Sequence, residues 1–322
     1  VPYAFDPELQ PLVELFPYSE ISDLTAARER TAALVEPLNA MVDTTGTSSS
    51  GADVPGPDGA PPVPVRIYAP DGDAPPGGRP ALLDIHGGEF VSGSAAMEHG
   101  FATQVARGLG AVVVAVEYRL APEHPFPAGV EDCYAALEWM DGQADDLGID
   151  RSRIAVGGQS AGGGLSAAVA LMARDRGGPP LCFQFLGIPE LDHRLETTSM
   201  RTFVDTPMWH RRNAGLSWDA YLGPHRTDVS PYASPSIAED LSGLPPAYVT
   251  TMEFDPLRDE GILYALRLME AGVSVELHTF PGTFHGSAAM PTAAVSKREH
   301  VELMGALARG LRVELPPRGR QR

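Results

Sequence analysis

From residue 81 onward, short runs of aliphatic and β-branched residues alternate with stretches whose apolar positions recur at helical spacing. The runs at 63–68, 81–85, 111–116, 153–156, 181–186, 247–252 and 274–279 predict strands. The stretches at 98–108, 130–143, 161–175, 257–271 and 292–311 predict helices. Nearly continuous apolar strands alternating with helices imply an α/β class, with a mostly parallel sheet covered on both faces. Two amphipathic helices are expected earlier, at 7–16 and 23–41. For the second, Ser22 or Asp23 is a fitting N-cap, and Leu24, Leu34 and Leu38 point toward one face. Residues 48–62 are rich in Gly, Pro and Ser and read as an exposed loop, and 75–79 as a turn. Residues 192–224 break the alternation. They are polar yet carry Phe203, Trp209, Trp218 and Tyr221, and they read as an inserted cap element.

Composition narrows the classes. With 43% hydrophobic residues, a sizeable core is within reach, and the longest apolar runs are strand-length rather than membrane-spanning. No basic start followed by an apolar block marks a signal peptide in the first residues, and two cysteines without a disulfide pattern make the cytoplasm the expected location. Twenty-four basic residues stand against 42 acidic ones, a net charge of −18. A nucleic-acid partner would need a basic stripe, and the only basic cluster is the tail with Arg318, Arg320 and Arg322. An acidic surface favours a neutral small molecule over a phosphate or a free acid. Cys133 and Cys182 lie in apolar stretches and read as core residues, with no C-x-x-C pair for metal or redox chemistry.

The candidate chemistry sits at strand ends. Gly158-Gln159-Ser160-Ala161-Gly162 runs from strand through a tight turn into a helix and fits the G-x-S-x-G nucleophile elbow. A serine on such a turn needs small neighbours, because Cβ atoms two residues to either side would clash. The helix N-terminus beneath it favours developing negative charge. The pentapeptide alone also fits a packing turn, so the strand before it and the helix after it carry the reading. His86-Gly87-Gly88-Glu89-Phe90 follows another apolar strand. There the backbone N–H groups of Gly87 and Gly88, with that of Ala161, could bind an oxyanion.

A serine nucleophile needs a base, and the base needs an orienting carboxylate. Of nine histidines, His285 stands in a loop just past the last predicted strand, where α/β sites gather. His278 lies within a strand pattern and reads as structural. His99, His193, His210, His225 and His300 read as surface residues, and His86 and His124 as turn residues making structural hydrogen bonds. Asp255 follows a strand and precedes Pro256, which suits a helix cap as well as a catalytic carboxylate. Glu253, Asp259 and Glu260 are its rivals. The order Ser160, Asp255, His285 is the order used by α/β hydrolases.

Together these residues resemble the hormone-sensitive-lipase family of α/β-hydrolase esterases over about residues 63–311. The carriers are the HGG at 86–88, the run EYRLAPEHPFP at 117–127, GQSAGG at 158–163, DPLRDEG at 255–261, and His285-Gly286. The GGQSAGG turn, Ile188-Pro189-Glu190-Leu191-Asp192 and the loop at 280–286 look particularly like bacterial heroin (acetylmorphine) esterases. The resemblance implies a serine carboxylesterase that cleaves short-chain esters without metal or cofactor, and, by analogy alone, a homodimer through the last strand or helix. It also implies a helical cap from residues 1–45 and the 192–224 insertion, over a core made of 46–191 and 225–322. Departures concern Glu89, where the family has a third glycine, Gln159 in place of Asp, and Ser287 in place of the frequent Phe. If the third glycine serves a positive φ, Glu89 is strained and recharges the site. Two rival functions share the fold. An amidase would use the same triad. A hormone-binding homologue of the plant gibberellin-receptor kind would have lost the histidine, which His285 argues against.

Overall fold

The protein is described by a computed structural model over residues 3–15, 20–57 and 59–314. Phe16, at the end of the first predicted helix, and the basic tail lie outside the described residues. An eight-stranded sheet forms the centre, in the order β1 (Thr47–Val54), β2 (Val63–Pro70), β4 (Val112–Val116), β3 (Arg79–Ile85), β5 (Ile149–Gln159), β6 (Phe183–Gly187), β7 (Ala247–Met252) and β8 (Val275–Phe280). β1 and β2 run antiparallel at one edge, and β4 through β8 are parallel.

The period-two alternation of strand side chains divides the core cleanly. Leu83 and Ile85 of β3, with Val112, Val114 and Val116 of β4, pack on one face under α4 (Ala128–Gly142), α5 (Ala161–Arg176) and α8 (Arg258–Glu270). Leu82, Val113 and Ala155 point the other way, toward α3 (His99–Leu109) and α9 (Ala294–Gly310). Burial on both faces is why these strands read as unbroken apolar runs. Between β6 and β7 the 192–224 segment forms α6 (Thr198–Thr202) and α7 (Arg211–Leu222). No helix among the described residues is long and apolar enough to cross a membrane.

Three expectations change. Residues 47–54, read mostly as loop, form β1. Thr47-Ser-Ser-Ser-Gly51 has no apolar alternation, because an edge strand with mostly exposed side chains needs only backbone pairing to β2, and a polar edge also resists pairing with other chains. The second helix, α2 (Leu24–Asn39), begins as expected, with Asp23 accepting from the Ala26 N–H at 3.0 Å. Of its three leucines only Leu24 packs against the core, since Leu34 and Leu38 are exposed. Arg28 helps to moor it: its guanidinium donates to Val91 O (2.7 Å) and Ala121 O (2.9 Å) and pairs with Glu123. His210, expected at the surface, is fully buried at the start of α7. The polar residues around it hid that. Of the other histidines in that group, His225 and His300 are exposed and His99 and His193 half-buried. His86 stacks on Tyr118 (4.1 Å) with Nδ1 against Gly87 O at 2.6 Å, whereas the ring of His124 is exposed. Cys133 is buried and Cys182 half-buried.

A short N-terminal segment reaches across the carboxyl end of the sheet. Phe5 packs on Phe284 with centroids 5.0 Å apart, and Leu9 and Leu12 join the same small cluster. The Asp6 N–H donates to Gly282 O (2.8 Å), and Glu8 accepts from the Ala294 N–H (2.6 Å).

Candidate active site

β5 ends at Gln159 and α5 begins at Ala161, leaving Ser160 alone on the turn with φ 57° and ψ −123°. This is a strained conformation for a residue with a side chain. It is over-determined by its surroundings. The Ser160 N–H donates to Gly187 O (2.8 Å), and Ser160 O accepts from the Gly164 N–H (3.0 Å) and the Glu190 N–H (3.1 Å). The need for small neighbours is visible in distances. A Cβ on Gly158 would stand 2.2 Å from Ile85 O, and one on Gly162 2.0 Å from Ile85 O and 2.7 Å from His86 O. The elbow is thus pressed against the end of β3, where the His86-Gly87-Gly88 loop departs.

That loop brings its glycines to the serine. A Cβ on Gly87 would lie 3.6 Å from the Ser160 Cβ. Gly88 has φ 120°, closed to other residues, with Ser92 O only 2.2 Å from the place a Cβ would take. Gly88 O accepts from the Val91 (3.0 Å) and Ser92 (2.8 Å) N–H groups, closing a tight turn. Among the described residues, the N–H groups of Gly87, Gly88 and Ala161 donate to no protein acceptor. Three unspent donors around a serine Oγ, one of them at a helix N-terminus, suit an anion.

His285 reaches the serine from the loop after β8. Its Nε2 lies 3.0 Å from Ser160 Oγ, and its Nδ1 lies 2.8 Å from Asp255 Oδ2. The carboxylate next to Nδ1 assigns the proton to that nitrogen and leaves Nε2 as acceptor for the hydroxyl. Asp255 is fully buried and its two oxygens divide the work: Oδ2 faces the imidazole, while Oδ1 accepts from the Leu257 N–H at 2.9 Å and holds the turn into α8. Ser160 and His285 are each 8% exposed, so the reacting atoms are sheltered but reachable.

The rival carboxylates are engaged elsewhere. Glu253 accepts from the Gly282 N–H (2.7 Å) and steadies the loop that bears His285. Asp259 accepts from the Ser199 N–H (2.7 Å), tying α6 to α8. Glu260, fully buried, accepts from the Leu191 (2.6 Å) and Asp192 (3.2 Å) N–H groups. Trp209 is buried with its ring 5.8 Å from that of His285. Trp218 packs on Phe90 and Tyr221 as a core residue.

Two carboxyl groups complete the surroundings. Glu89, the departure from the third glycine, does adopt a positive φ of 63°, and Phe90 follows at 59°. The pair is held by the stacking of Phe90 on Tyr221 (4.0 Å) and by the Ser217 hydroxyl, which donates to Glu89 O at 2.7 Å. Burial pushes the Glu89 carboxyl up to about 7, against the pull of His285 and of Arg30. Glu190, completely buried beside the elbow, was not foreseen as a site residue. Burial drives its carboxyl well above the ordinary range, and the charges of Glu89 and Asp255 add to the shift. Its only sequence signal was the Ile188–Asp192 stretch. Among the described residues no cluster of His, Cys, Asp and Glu has the makings of a metal site.

The chain is similar to known proteins. Residues 82–289 match a family model for the alpha/beta hydrolase fold. The carboxylesterase NlhH of Mycobacterium tuberculosis is 41% identical over 288 residues, covering 87% of this chain and 88% of its own. An arylesterase of Saccharolobus solfataricus is 36% identical, covering 77% of this chain and 79% of its own. Among solved structures, a bacterial heroin esterase is 56% identical, with a TM-score of 0.93, covering 96% of this chain and 98% of its own. The chain belongs to the hormone-sensitive-lipase family of α/β-hydrolase carboxylic ester hydrolases.

Proposed function

We propose that this carboxylic ester hydrolase cleaves short-chain esters, from acetyl to about hexanoyl, through an acyl-enzyme on Ser160. The observation that carries the reading is the hydrogen-bonded line from Ser160 through His285 to Asp255, with N–H groups of Gly87, Gly88 and Ala161 unspent beside it. In the first half-reaction, His285 Nε2 takes the Ser160 proton as Oγ attacks the carbonyl carbon. The three N–H groups receive the oxyanion, each worth roughly a hundred- to a thousandfold in rate. Asp255 keeps the Nδ1 proton in place and stabilises the imidazolium. His285 then gives its proton to the leaving alcohol. Water, deprotonated by the same nitrogen, releases the acid and restores the hydroxyl. A small acyl group suits a nucleophile and base as closely sheltered as these. The −18 charge of the chain disfavours anionic esters.

The test is hydrolysis of p-nitrophenyl esters from acetyl to palmitoyl, with Ser160→Ala as control. Turnover is expected to peak at short chains and to fall by at least about a thousandfold in the variant, with an unchanged circular dichroism spectrum. A folded variant that keeps its turnover refutes Ser160 as the nucleophile. A peak at palmitoyl refutes the short-chain reading.

A further inference from the structure

The loop that carries the anion donors holds three positive-φ residues in a row, Gly88 at 120°, Glu89 at 63° and Phe90 at 59°. The last two bear side chains, so the turn is strained and keeps its shape only through what grips it. The grips fall on four successive carbonyls. Gly88 O is closed from within, by the Val91 (3.0 Å) and Ser92 (2.8 Å) N–H groups. Glu89 O accepts from the Ser217 hydroxyl of α7 (2.7 Å). Phe90 O accepts from the Ala121 N–H (3.0 Å). Val91 O accepts from Arg28 Nε of α2 (2.7 Å).

Arg28 acts on the turn by two routes. Besides Val91 O, it reaches Ala121 O with Nη2 (2.9 Å), on the very residue whose N–H holds Phe90 O. Among the described residues neither Val91 O nor Ala121 O has another donor, and both residues are buried. Without the guanidinium two buried carbonyls lose their partner, a penalty the turn escapes only by moving or by admitting water. Glu123 accepts two guanidinium N–H groups, each at 2.7 Å, and fixes the plane of the fork. That ion pair faces solvent, with the Glu123 side chain 55% exposed, so the two carbonyls are the contacts that matter. The Val91 N–H in turn closes on Gly88 O. A shift of Val91 is therefore passed to a residue that offers one of the unspent N–H groups.

We infer that Arg28 is a positioning residue for the oxyanion donors. From outside the stretch 82–289 that matches the family, it holds the strained turn in the shape that aims the Gly88 N–H at the anion beside Ser160. The inference rests on the esterase reading. An oxyanion exists only once the carbonyl has been attacked, so a misaimed donor lowers kcat and leaves KM nearly as it was.

The experiment measures p-nitrophenyl acetate hydrolysis and inhibition by a trifluoromethyl ketone, which adds to the serine and sets an oxyanion among the donors. The proteins are the native enzyme, Arg28→Ala, Arg28→Lys and Asn39→Ala, with folding checked by circular dichroism. Asn39 Nδ2 donates to Ala96 O (2.9 Å), so its loss loosens α2 without touching the turn. Arg28→Ala is expected to lower kcat about ten- to a hundredfold with KM within about threefold, and to weaken the ketone by about the factor lost in kcat/KM. Arg28→Lys lacks the fork and should fall between, and it carries the comparison if the alanine variant does not fold. Asn39→Ala should keep its kcat. A kcat within about threefold of native in folded Arg28→Ala overturns the inference. So does an equal loss in Asn39→Ala, which would make a loosened α2 the cause, or a fall in kcat with ketone binding unchanged. In each of these cases the esterase reading stands. A native enzyme that neither cleaves p-nitrophenyl acetate nor binds the ketone overturns that reading, and this inference with it.

Discussion

Adding one methyl group at Gly162 should damage the enzyme out of proportion to its size. The Cβ of Gly162→Ala would sit 2.0 Å from Ile85 O and 2.7 Å from His86 O, where ordinary contact needs more than 3 Å. Both obstacles are backbone, at the end of β3 and the start of the oxyanion loop, and cannot rotate away. The helix and strand must therefore part by about 1 Å. Ile85 is held on both sides, in register with Val116 of β4 and Gly158 of β5, so the loop beyond it is what gives. Overpacking of this kind costs about 1–3 kcal/mol. A displacement of about 1 Å between the serine and its oxyanion donors costs on the order of a hundredfold in kcat. The control is Gly142→Ala at the end of α4, where a Cβ meets nothing within 4 Å. That variant gains helix propensity and should be neutral or more stable by up to about 1 kcal/mol. Both variants would be measured by urea unfolding and by p-nitrophenyl acetate kinetics. If Gly162→Ala kept kcat within about threefold of the native value, the pressure of the elbow on the β3 end would not be what sets the donors.

Two further outcomes follow from the geometry. Asp255→Asn should keep the fold, since the amide oxygen can still accept from Leu257, but it no longer fixes the Nδ1 proton. A fall in kcat of about a thousandfold or more is expected, and a loss under tenfold would refute the orienting role. Glu299, buried in α9, has its carboxyl raised to about 7 by burial and by Glu302, so the folded protein binds that proton more tightly than the unfolded chain does. Its contribution is fully present below about pH 4.5 and is lost as pH rises through about 7. Between pH 5 and 8 the native enzyme should therefore lose roughly 2–3 kcal/mol relative to Glu299→Gln in urea unfolding. Parallel pH profiles for the two proteins would show that the carboxyl is not so raised.

What could be read from the sequence was whatever local chemistry dictates. The parallel strands announce themselves because burial on both faces demands continuous aliphatic runs such as 112–116. The elbow announces itself because steric pressure at 158 and 162 admits only glycine. Asp255 and His285 stood out as candidates because each lies shortly past such a run. The hidden parts depend on partners distant in sequence. β1 carries a polar face and is defined by pairing with β2. α2 is held by Arg28, Asn39 and the packing of Leu24 and Ala27 rather than by a full leucine face, and Leu34 and Leu38 misled. His210 is buried by the helical insertion packed around it. Glu190 has no local mark of its surroundings, since the charges that raise it come from residues 89 and 255. The positive φ of Glu89 was foreseeable only as a condition, because a non-glycine residue there must be held by contacts made from α7.

The N-terminal segment grips the machinery from outside the stretch that defines the family. Residues 82–289 contain every side chain proposed for the chemistry, yet the loop bearing His285 is clasped by the Phe5 ring and the Asp6 backbone, and the start of α9 beyond it by Glu8. The turn after the oxyanion glycines is clasped by Arg28 through Val91 O. One chain segment thus holds the mounting of the base and that of the anion donors, which approach the serine from different strands. The first forty residues therefore touch both loops proposed to carry the chemistry without containing any of the signature motifs.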